Sequence, residues 1–268
     1  MEFLSYLINN LFTNRHLISI LICFICFAYL VLRRADDRSY NTDAIWMVLL
    51  WSAIGAIIIG RLFHTVPHAE NYFKSPLSVL HINYGLHLYG GLLGGIIGGL
   101  FAIRKSNISI ESIMILITPF LFLAISLNRF TCLLDPNKCL GKIAGDPIGI
   151  LLPGATQTRI PSHLIEGFFL LVLVGFIFLL ERRYSQKPYI PFFLGFAGYG
   201  LIRSTIDMTR TGWPSLWIGI DTAIGVILFI VCIIFIQVYP QIRPTAKSTN
   251  NDGNENIRSP KKRRRRRR

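Results

Sequence analysis

The sequence predicts an all-α, polytopic membrane protein with about seven transmembrane helices. Of the 268 residues, 52% are hydrophobic, and the mean hydropathy of +0.48 is too apolar for one ordinary soluble domain. A helix needs about 20 mostly apolar residues to cross a bilayer. Such runs recur at residues 17–32, 44–63, 84–103, 108–127, 164–180, 190–206 and 219–238. We therefore expect one membrane-embedded domain over residues 1–240 and a disordered tail over residues 241–268.

Basic residues follow the first, third, fifth and seventh of these runs. Arg33 and Arg34 follow the first run, and Arg104 and Lys105 follow the third. Lys and Arg gather in the cytoplasmic loops of membrane proteins. The sequence therefore predicts an N-terminus outside the membrane and a cytoplasmic C-terminus. On the outer side we expect the loops at 64–83, 128–163 and 208–218.

The tail carries most of the net charge. Residues 241–268 contain 11 Lys and Arg residues and 2 acidic residues, and so contribute +9 of the net charge of +14. The run of eight basic residues from Lys261 to Arg268 leaves nucleic-acid binding as an alternative. An anionic membrane surface attracts nearby basic residues by about 1 kcal/mol each. We therefore expect the tail to contact the membrane surface, and we expect no nucleic-acid partner.

The cysteines and histidines indicate neither a disulfide framework nor a metal site. Cys23, Cys26 and Cys232 lie within apolar runs, where a free thiol behaves as a small hydrophobic group. Cys132 and Cys139 share an outer loop and would pair only in an oxidising compartment. Other features give no sign of a bound metal or cofactor, so we expect none.

Two arginines lie at the ends of apolar runs. Placing Arg129 or Arg203 at membrane depth costs about 2.5–3.5 kcal/mol each on the insertion scale, so such residues usually have a function. A lipid phosphate is the natural target, because guanidinium binds phosphate in a bidentate manner. Asp207 follows Arg203 by four residues and so lies on the same helix face. It either neutralises Arg203 or holds its guanidinium group toward a ligand.

A glycine-rich segment opens the third run. Gly94 to Gly99 form small-xxx-small patterns, which predict a seam where a neighbouring helix approaches closely. Gly90 and Gly91 follow His87 and Tyr89 at the outer end of this run. There the glycines would let a lipid headgroup reach the backbone.

The segment from Arg159 to Glu166 is typical of a helix start. Pro161 suits the first turn, and Ser162 offers a capping oxygen. Capping does not explain Glu166, whose carboxylate points into an apolar run.

Five segments recur in the order of motifs in a known family. They are Gly60-Arg61-Leu62, Tyr89-Gly-Gly-Leu-Leu-Gly94, Asn128-Arg-Phe-Thr-Cys-Leu133, Pro161-Ser-His-Leu-Ile-Glu166 and Tyr199-Gly-Leu-Ile-Arg-Ser-Thr-Ile-Asp207. Together they resemble the prolipoprotein diacylglyceryl transferase family of bacterial inner membranes. The resemblance covers residues 17–238.

The resemblance implies transfer of diacylglycerol from phosphatidylglycerol to the lipobox cysteine of a prolipoprotein signal peptide, with release of glycerol phosphate. Arg129 and Arg203 would stabilise charge on the departing phosphate. The thiol, with a pKa of about 8.5, would also need a base. The substrate-binding residues implied by the matching motifs are Arg61, Gly90, Gly91, Ser162, Glu166, Tyr199 and Asp207.

The chain departs from the family pattern at Tyr89, where the family has His. A phenol with a pKa of about 10 is a poor base at neutral pH. His87 lies two residues earlier and would face away from Tyr89 on a regular helix, so it substitutes only if the segment is unwound. Both residues are predicted to be catalytic. A lipid-binding relative without transfer chemistry and a small-solute transporter are the alternatives, and Tyr89→His should raise transfer if the enzyme prediction is right.

Overall fold

The fold is described from a computed structural model of residues 15–65, 87–106, 108–131, 141–145, 147–151, 156–210 and 216–242. Within these residues the chain forms helices and isolated β-bridges, and no β-strand. The predicted all-α class is confirmed. Residues 243–268 of the tail, Cys132, Cys139 and most of the 64–83 loop lie outside the described residues.

Seven helices occupy the predicted apolar runs. They are α1 (Arg15–Asp37), α2 (Thr42–Thr65), α3 (Leu88–Lys105), α4 (Ile110–Phe130), α5 (Ser162–Arg183), α6 (Tyr189–Asp207) and α7 (Leu216–Ile242). Five of them, namely α1, α2, α4, α5 and α7, are long and apolar enough to cross a membrane. Helices α3 and α6 are not among these five, so a total of seven spans remains a prediction, as does the orientation.

The described core consists of two clusters of buried apolar side chains. Phe122 of α4, Ile177 of α5 and Tyr199 of α6 are completely buried in one apolar cluster. A second cluster joins α1, α2 and α4 through Val31, Ile45 and Leu116. Outside these clusters the helices expose large apolar side chains, as expected for surfaces that face lipid. The three thiols of Cys23, Cys26 and Cys232 are free, as predicted.

Helices α2 and α3 pack backbone against backbone along the glycine seam. A methyl group added at Gly98 would lie 2.1 Å from the carbonyl oxygen of Trp51, and one at Gly94 would lie 2.1 Å from that of Gly55. No side chain fits at such distances, so both positions require glycine. The predicted packing seam is confirmed.

The start of α3 differs from the prediction. The helix begins at Leu88 instead of residue 84, and His87 precedes it with extended backbone angles, φ −83° and ψ 126°. The side chain of His87 accepts a long hydrogen bond of 3.4 Å from the amide of Gly90. His87 therefore caps the helix and does not follow its periodicity.

Candidate functional site

The carboxylate of Glu166 lies between two arginines that come from different helices. Oε1 of Glu166 is 3.0 Å from Nε of Arg129, and Oε2 is 3.1 Å from Nη1 of Arg203. Glu166 stands in the second turn of α5 and is 1% exposed, whereas the arginines lie near the ends of α4 and α6. The structure thus brings together Arg129, Arg203 and Glu166, which the sequence predicted to share a site.

Asp207 extends this ion-pair network along α6. Its Oδ1 atom lies 3.3 Å from Nη2 of Arg203 and 3.1 Å from Nη1 of Arg210. The predicted contact between Arg203 and Asp207 is therefore confirmed. Arg210 was not singled out from the sequence, because its contact depends on the turn that follows α6. A bridge between Gly141 and Arg210 holds that turn in place.

Arg129 and Arg203 differ in what their guanidinium groups can offer a ligand. Both terminal nitrogens of Arg203 face carboxylates, and its side chain is only 7% exposed. The side chain of Arg129 is 15% exposed, and its contact with Glu166 uses Nε. Within the described residues, the terminal nitrogens of Arg129 make no hydrogen bond. Arg129 is therefore better placed than Arg203 to contact a phosphate directly.

The network retains a positive charge. Three guanidinium groups, from Arg129, Arg203 and Arg210, face two carboxylates, from Glu166 and Asp207. With all five groups ionised, one positive charge is left uncompensated. The carboxylates therefore fix the arginines in place without cancelling their attraction for an anion.

Unsatisfied polar atoms are concentrated around this network. Buried polar atoms nearly always have a hydrogen-bond partner in folded proteins. Among the described residues, nine buried side-chain atoms make no hydrogen bond, and seven of these belong to the network and its neighbours. Two of the seven, Arg129 Nε and Glu166 Oε1, face each other at 3.0 Å as an ion pair. The other five are Tyr89 Oη, His163 Nδ1, Tyr199 Oη, Arg203 Nε and Asp207 Oδ2. The two tyrosine hydroxyls and Arg203 Nε can donate hydrogen bonds to the oxygen atoms of a ligand.

His87 and Tyr89 lie together, although a regular helix would have separated them. Their ring centroids are 6.0 Å apart because His87 precedes the helix and turns back toward it. On its other side, the ring of Tyr89 is 6.5 Å from that of Tyr199. Tyr199 is completely buried and lies four residues before Arg203 on α6. Tyr89 therefore connects His87 to the arginine network.

His87 also pairs with an acidic residue from the far end of the chain. Its Nε2 atom lies 3.0 Å from Oδ1 of Asp221 on α7. Asp221 was not among the predicted site residues. No local pattern joins two residues that are 134 positions apart, and an Asp within an apolar run was the only available signal.

The described contacts of Gly90, Gly91 and Arg61, which the sequence predicted to bind substrate, are not with the ion-pair network. A methyl group at Gly90 would lie 2.6 Å from Cβ of Phe63, so close packing requires glycine there, whereas Gly91 has more room. Arg61 is buried on α2, and its Nη1 atom is 3.4 Å from Nδ1 of His64. The contacts described for these three residues do not place them against Glu166, and their predicted role in binding remains a prediction.

The predicted capping role of Ser162 is wrong. Helix α5 begins at Ser162 itself, Pro161 takes the capping position, and no side-chain hydrogen bond caps the helix. The hydroxyl of Ser162 instead lies 2.8 Å from that of Thr209, just beyond α6. This contact links the start of α5 to the turn that carries Arg210.

Comparison with known proteins places the chain in a family. A sequence model described as prolipoprotein diacylglyceryl transferase matches residues 11–239. Proteins named phosphatidylglycerol--prolipoprotein diacylglyceryl transferase are similar to the chain over most of its length. The protein from Clostridium tetani (strain Massachusetts / E88) is 26% identical over 66% of this chain and 73% of its own. The protein from Geobacter sulfurreducens is 28% identical over 68% of this chain and 72% of its own, and that from Staphylococcus aureus (strain JH9) is 24% identical over 82% of each.

The family match covers six of the seven described helices completely, all but the last three residues of α7, and every residue of the ion-pair network. This chain belongs to the prolipoprotein diacylglyceryl transferase family.

Proposed function

We infer that this protein is a transferase that moves diacylglycerol from phosphatidylglycerol to the cysteine thiol of a prolipoprotein and releases glycerol phosphate. It is a multi-pass protein of the bacterial inner membrane. Family membership over residues 11–239 supports the reaction. The observation that carries the assignment of the site is the convergence of Arg129 and Arg203 on Glu166.

The reaction requires stabilisation of a leaving group. The thiolate attacks a glycerol carbon, and the bond from that carbon to the phosphate oxygen breaks. Negative charge then builds on the departing glycerol phosphate, and fixed cations in a site shielded from water stabilise it. Arg129 contacts the phosphate through its terminal nitrogens, while Arg203, held by Glu166 and Asp207, supplies positive charge behind it.

The remaining partners follow from the substrates and from the charge of the chain. The lipobox cysteine belongs to an apolar signal peptide, which reaches the site through the lipid phase. The basic tail, residues 241–268, binds anionic headgroups at the cytoplasmic surface. The alternative function is that of a lipid-binding relative without transfer chemistry. It is supported by Tyr89, which occupies the position where the family has His.

A transfer assay distinguishes these functions. The purified protein is incubated with phosphatidylglycerol labelled in its acyl chains and with a lipobox peptide, with Ser in place of Cys as the control peptide. We expect label on the cysteine peptide alone, and loss of transfer in Arg129→Gln. The matched control is Arg104→Gln, an exposed arginine at the opposite end of α3 from His87, which should transfer normally. Binding of phosphatidylglycerol without any transfer would favour the lipid-binding alternative.

A further inference from the structure

We propose that His87 accepts the proton of the substrate thiol and that Asp221 positions and charge-balances its imidazole ring. This proposal rests on the transferase function inferred above and names the base for that reaction. Asp221 is a positioning residue, because it acts through His87.

The backbone around His87 holds the ring in a defined place. The amide of His87 donates a 3.0 Å hydrogen bond to the carbonyl oxygen of Gly60, and its own carbonyl accepts one of 2.9 Å from Gly91. These bonds tie the residue to α2 on one side and to α3 on the other. A base held in this way loses little conformational freedom when it acts.

The contacts of the ring leave one nitrogen available for a proton. With Nε2 protonated, the ring donates to Oδ1 of Asp221 at 3.0 Å, and the lone pair lies on Nδ1. The only contact of Nδ1 within the described residues is the amide of Gly90 at 3.4 Å, which is long for a hydrogen bond. A thiol that approaches Nδ1 therefore displaces a weak contact. A carboxylate on the opposite nitrogen is the arrangement that activates the histidine of a catalytic triad.

The surroundings of His87 join it to the arginine network without burying it completely. Its side chain is 23% exposed and that of Asp221 is 20% exposed, compared with 1% for Glu166. The ring of Tyr89 packs beside His87 and also beside Tyr199, next to Arg203. His87 is therefore linked to Tyr199 through one intervening ring, that of Tyr89.

The other titratable groups near the site are less suitable as bases. Both carboxylate oxygens of Glu166 face guanidinium groups, and Asp207 faces two arginines through one oxygen. His163 has a buried Nδ1 atom and precedes Glu166 by three residues on α5. Tyr89 carries a phenol, which releases a proton more readily than it accepts one. His87 differs from these groups, because its described polar contacts are a carboxylate at Nε2 and a long amide contact at Nδ1, with no guanidinium group among them.

The proposed step balances. The S–H proton moves to Nδ1 of His87 as sulfur forms its bond to the glycerol carbon. The bond between that carbon and the phosphate oxygen breaks, and its electron pair leaves with glycerol phosphate. The imidazolium charge is balanced by the Asp221 carboxylate until the proton passes to water.

A change of nucleophile tests the proposal. A selenol ionises far more readily than a thiol, and the ionised form is the nucleophile, so a selenocysteine lipobox peptide does not need the base. His87→Gln should lower the turnover number with the cysteine peptide by about 10²-fold or more and leave KM nearly unchanged. With the selenocysteine peptide it should lose less than about tenfold. Arg129→Gln should lose activity with both peptides, because both reactions expel the same phosphate.

Two further variants separate chemistry from packing. Asp221→Asn keeps an oxygen that accepts the Nε2 proton but removes the charge, so its turnover number should also fall while its melting temperature stays the same. Tyr239→Phe is the matched control, since it removes a 3.0 Å hydroxyl contact between α7 and Glu111 of α4, and it should transfer at the normal rate.

The outcomes are distinct. Normal transfer by His87→Gln with the cysteine peptide, or an equal loss with both peptides, would overturn the role of His87 and leave the transferase function standing. An unmodified protein that is inactive with both peptides would overturn the function and the proposal together.

Discussion

Nη1 of Arg203 lies 3.1 Å from Oε2 of Glu166, and both side chains are almost completely buried. A buried ion pair contributes little net stability against its desolvation cost, but losing one partner leaves an uncompensated charge. The pair therefore makes the fold of the site depend on both residues. It also ties α6 to α5, which positions Arg129 through the other oxygen of Glu166.

We expect Arg203→Lys to abolish transfer and to lower thermal stability. Stability falls as well as transfer, because a single ammonium cannot reach Glu166 and Asp207 as two guanidinium nitrogens do. Thermal unfolding in detergent and the transfer assay measure the two effects. Arg129→Lys is the comparison, and it should lose transfer with a smaller loss of stability, since Arg129 makes one such contact. Equal stability of the two variants would contradict this account.

Glu166→Gln should destabilise the protein although the two side chains have nearly the same shape. The change leaves Arg129 and Arg203 facing each other with no carboxylate between them. Breaking a buried ion pair in this way costs about 3 kcal/mol or more. Chemical or thermal unfolding in detergent measures the loss, and Ser126→Ala, which removes a single neutral hydrogen bond to Gly167, is the control. A loss no larger than that of the control would show that the arginines do not depend on Glu166.

Gly98→Ala should disrupt the α2–α3 seam, whereas Gly95→Ala should be tolerated. The added methyl would lie 2.1 Å from the carbonyl oxygen of Trp51 at position 98, but 3.7 Å from that of Ser52 at position 95. The first contact forces the helices apart, and the second is ordinary van der Waals contact. Both substitutions raise helix propensity equally, so that contribution cancels. Melting temperatures and yields of folded protein would decide, and similar values for both variants would argue against the seam.

Tyr89→His should restore transfer in the His87→Gln background. The rings of residues 87 and 89 are 6.0 Å apart, so an imidazole at either position is near the same substrate thiol. From the sequence alone, Tyr89→His should raise transfer in the unmodified protein as well. With His87 already beside Tyr89, we now expect the single substitution to change the turnover number by less than about tenfold. A large increase in the turnover number of the Tyr89→His single variant would indicate that the base acts from position 89 and not from His87.

Deletion of residues 258–268 should leave transfer within a few-fold of normal and weaken binding to anionic vesicles. The deleted segment contains nine basic residues, each attracted to an anionic surface by about 1 kcal/mol. Transfer assays and sedimentation with phosphatidylglycerol or phosphatidylcholine vesicles separate the two effects. Complete loss of transfer in a well-folded truncation would place the tail near the site instead.

The sequence by itself determined the helices and the contacts that repeat within one helix. The length of an apolar run shows where a helix can cross a membrane. The helical period places Arg203 and Asp207 on one face. The small-xxx-small pattern likewise identified the seam at Gly94 and Gly98, because only glycine permits such close backbone contact.

Only the tertiary structure decided which charges meet. The partners of Glu166 come from α4 and α6, and the partner of His87 comes from α7, so no local period relates them. Backbone conformation decided two further points. His87 lies before α3, which brings it to Tyr89, and α5 starts at Ser162, which frees that hydroxyl for Thr209. Such contacts depend on how helices pack in three dimensions, and packing is settled by all the helices together.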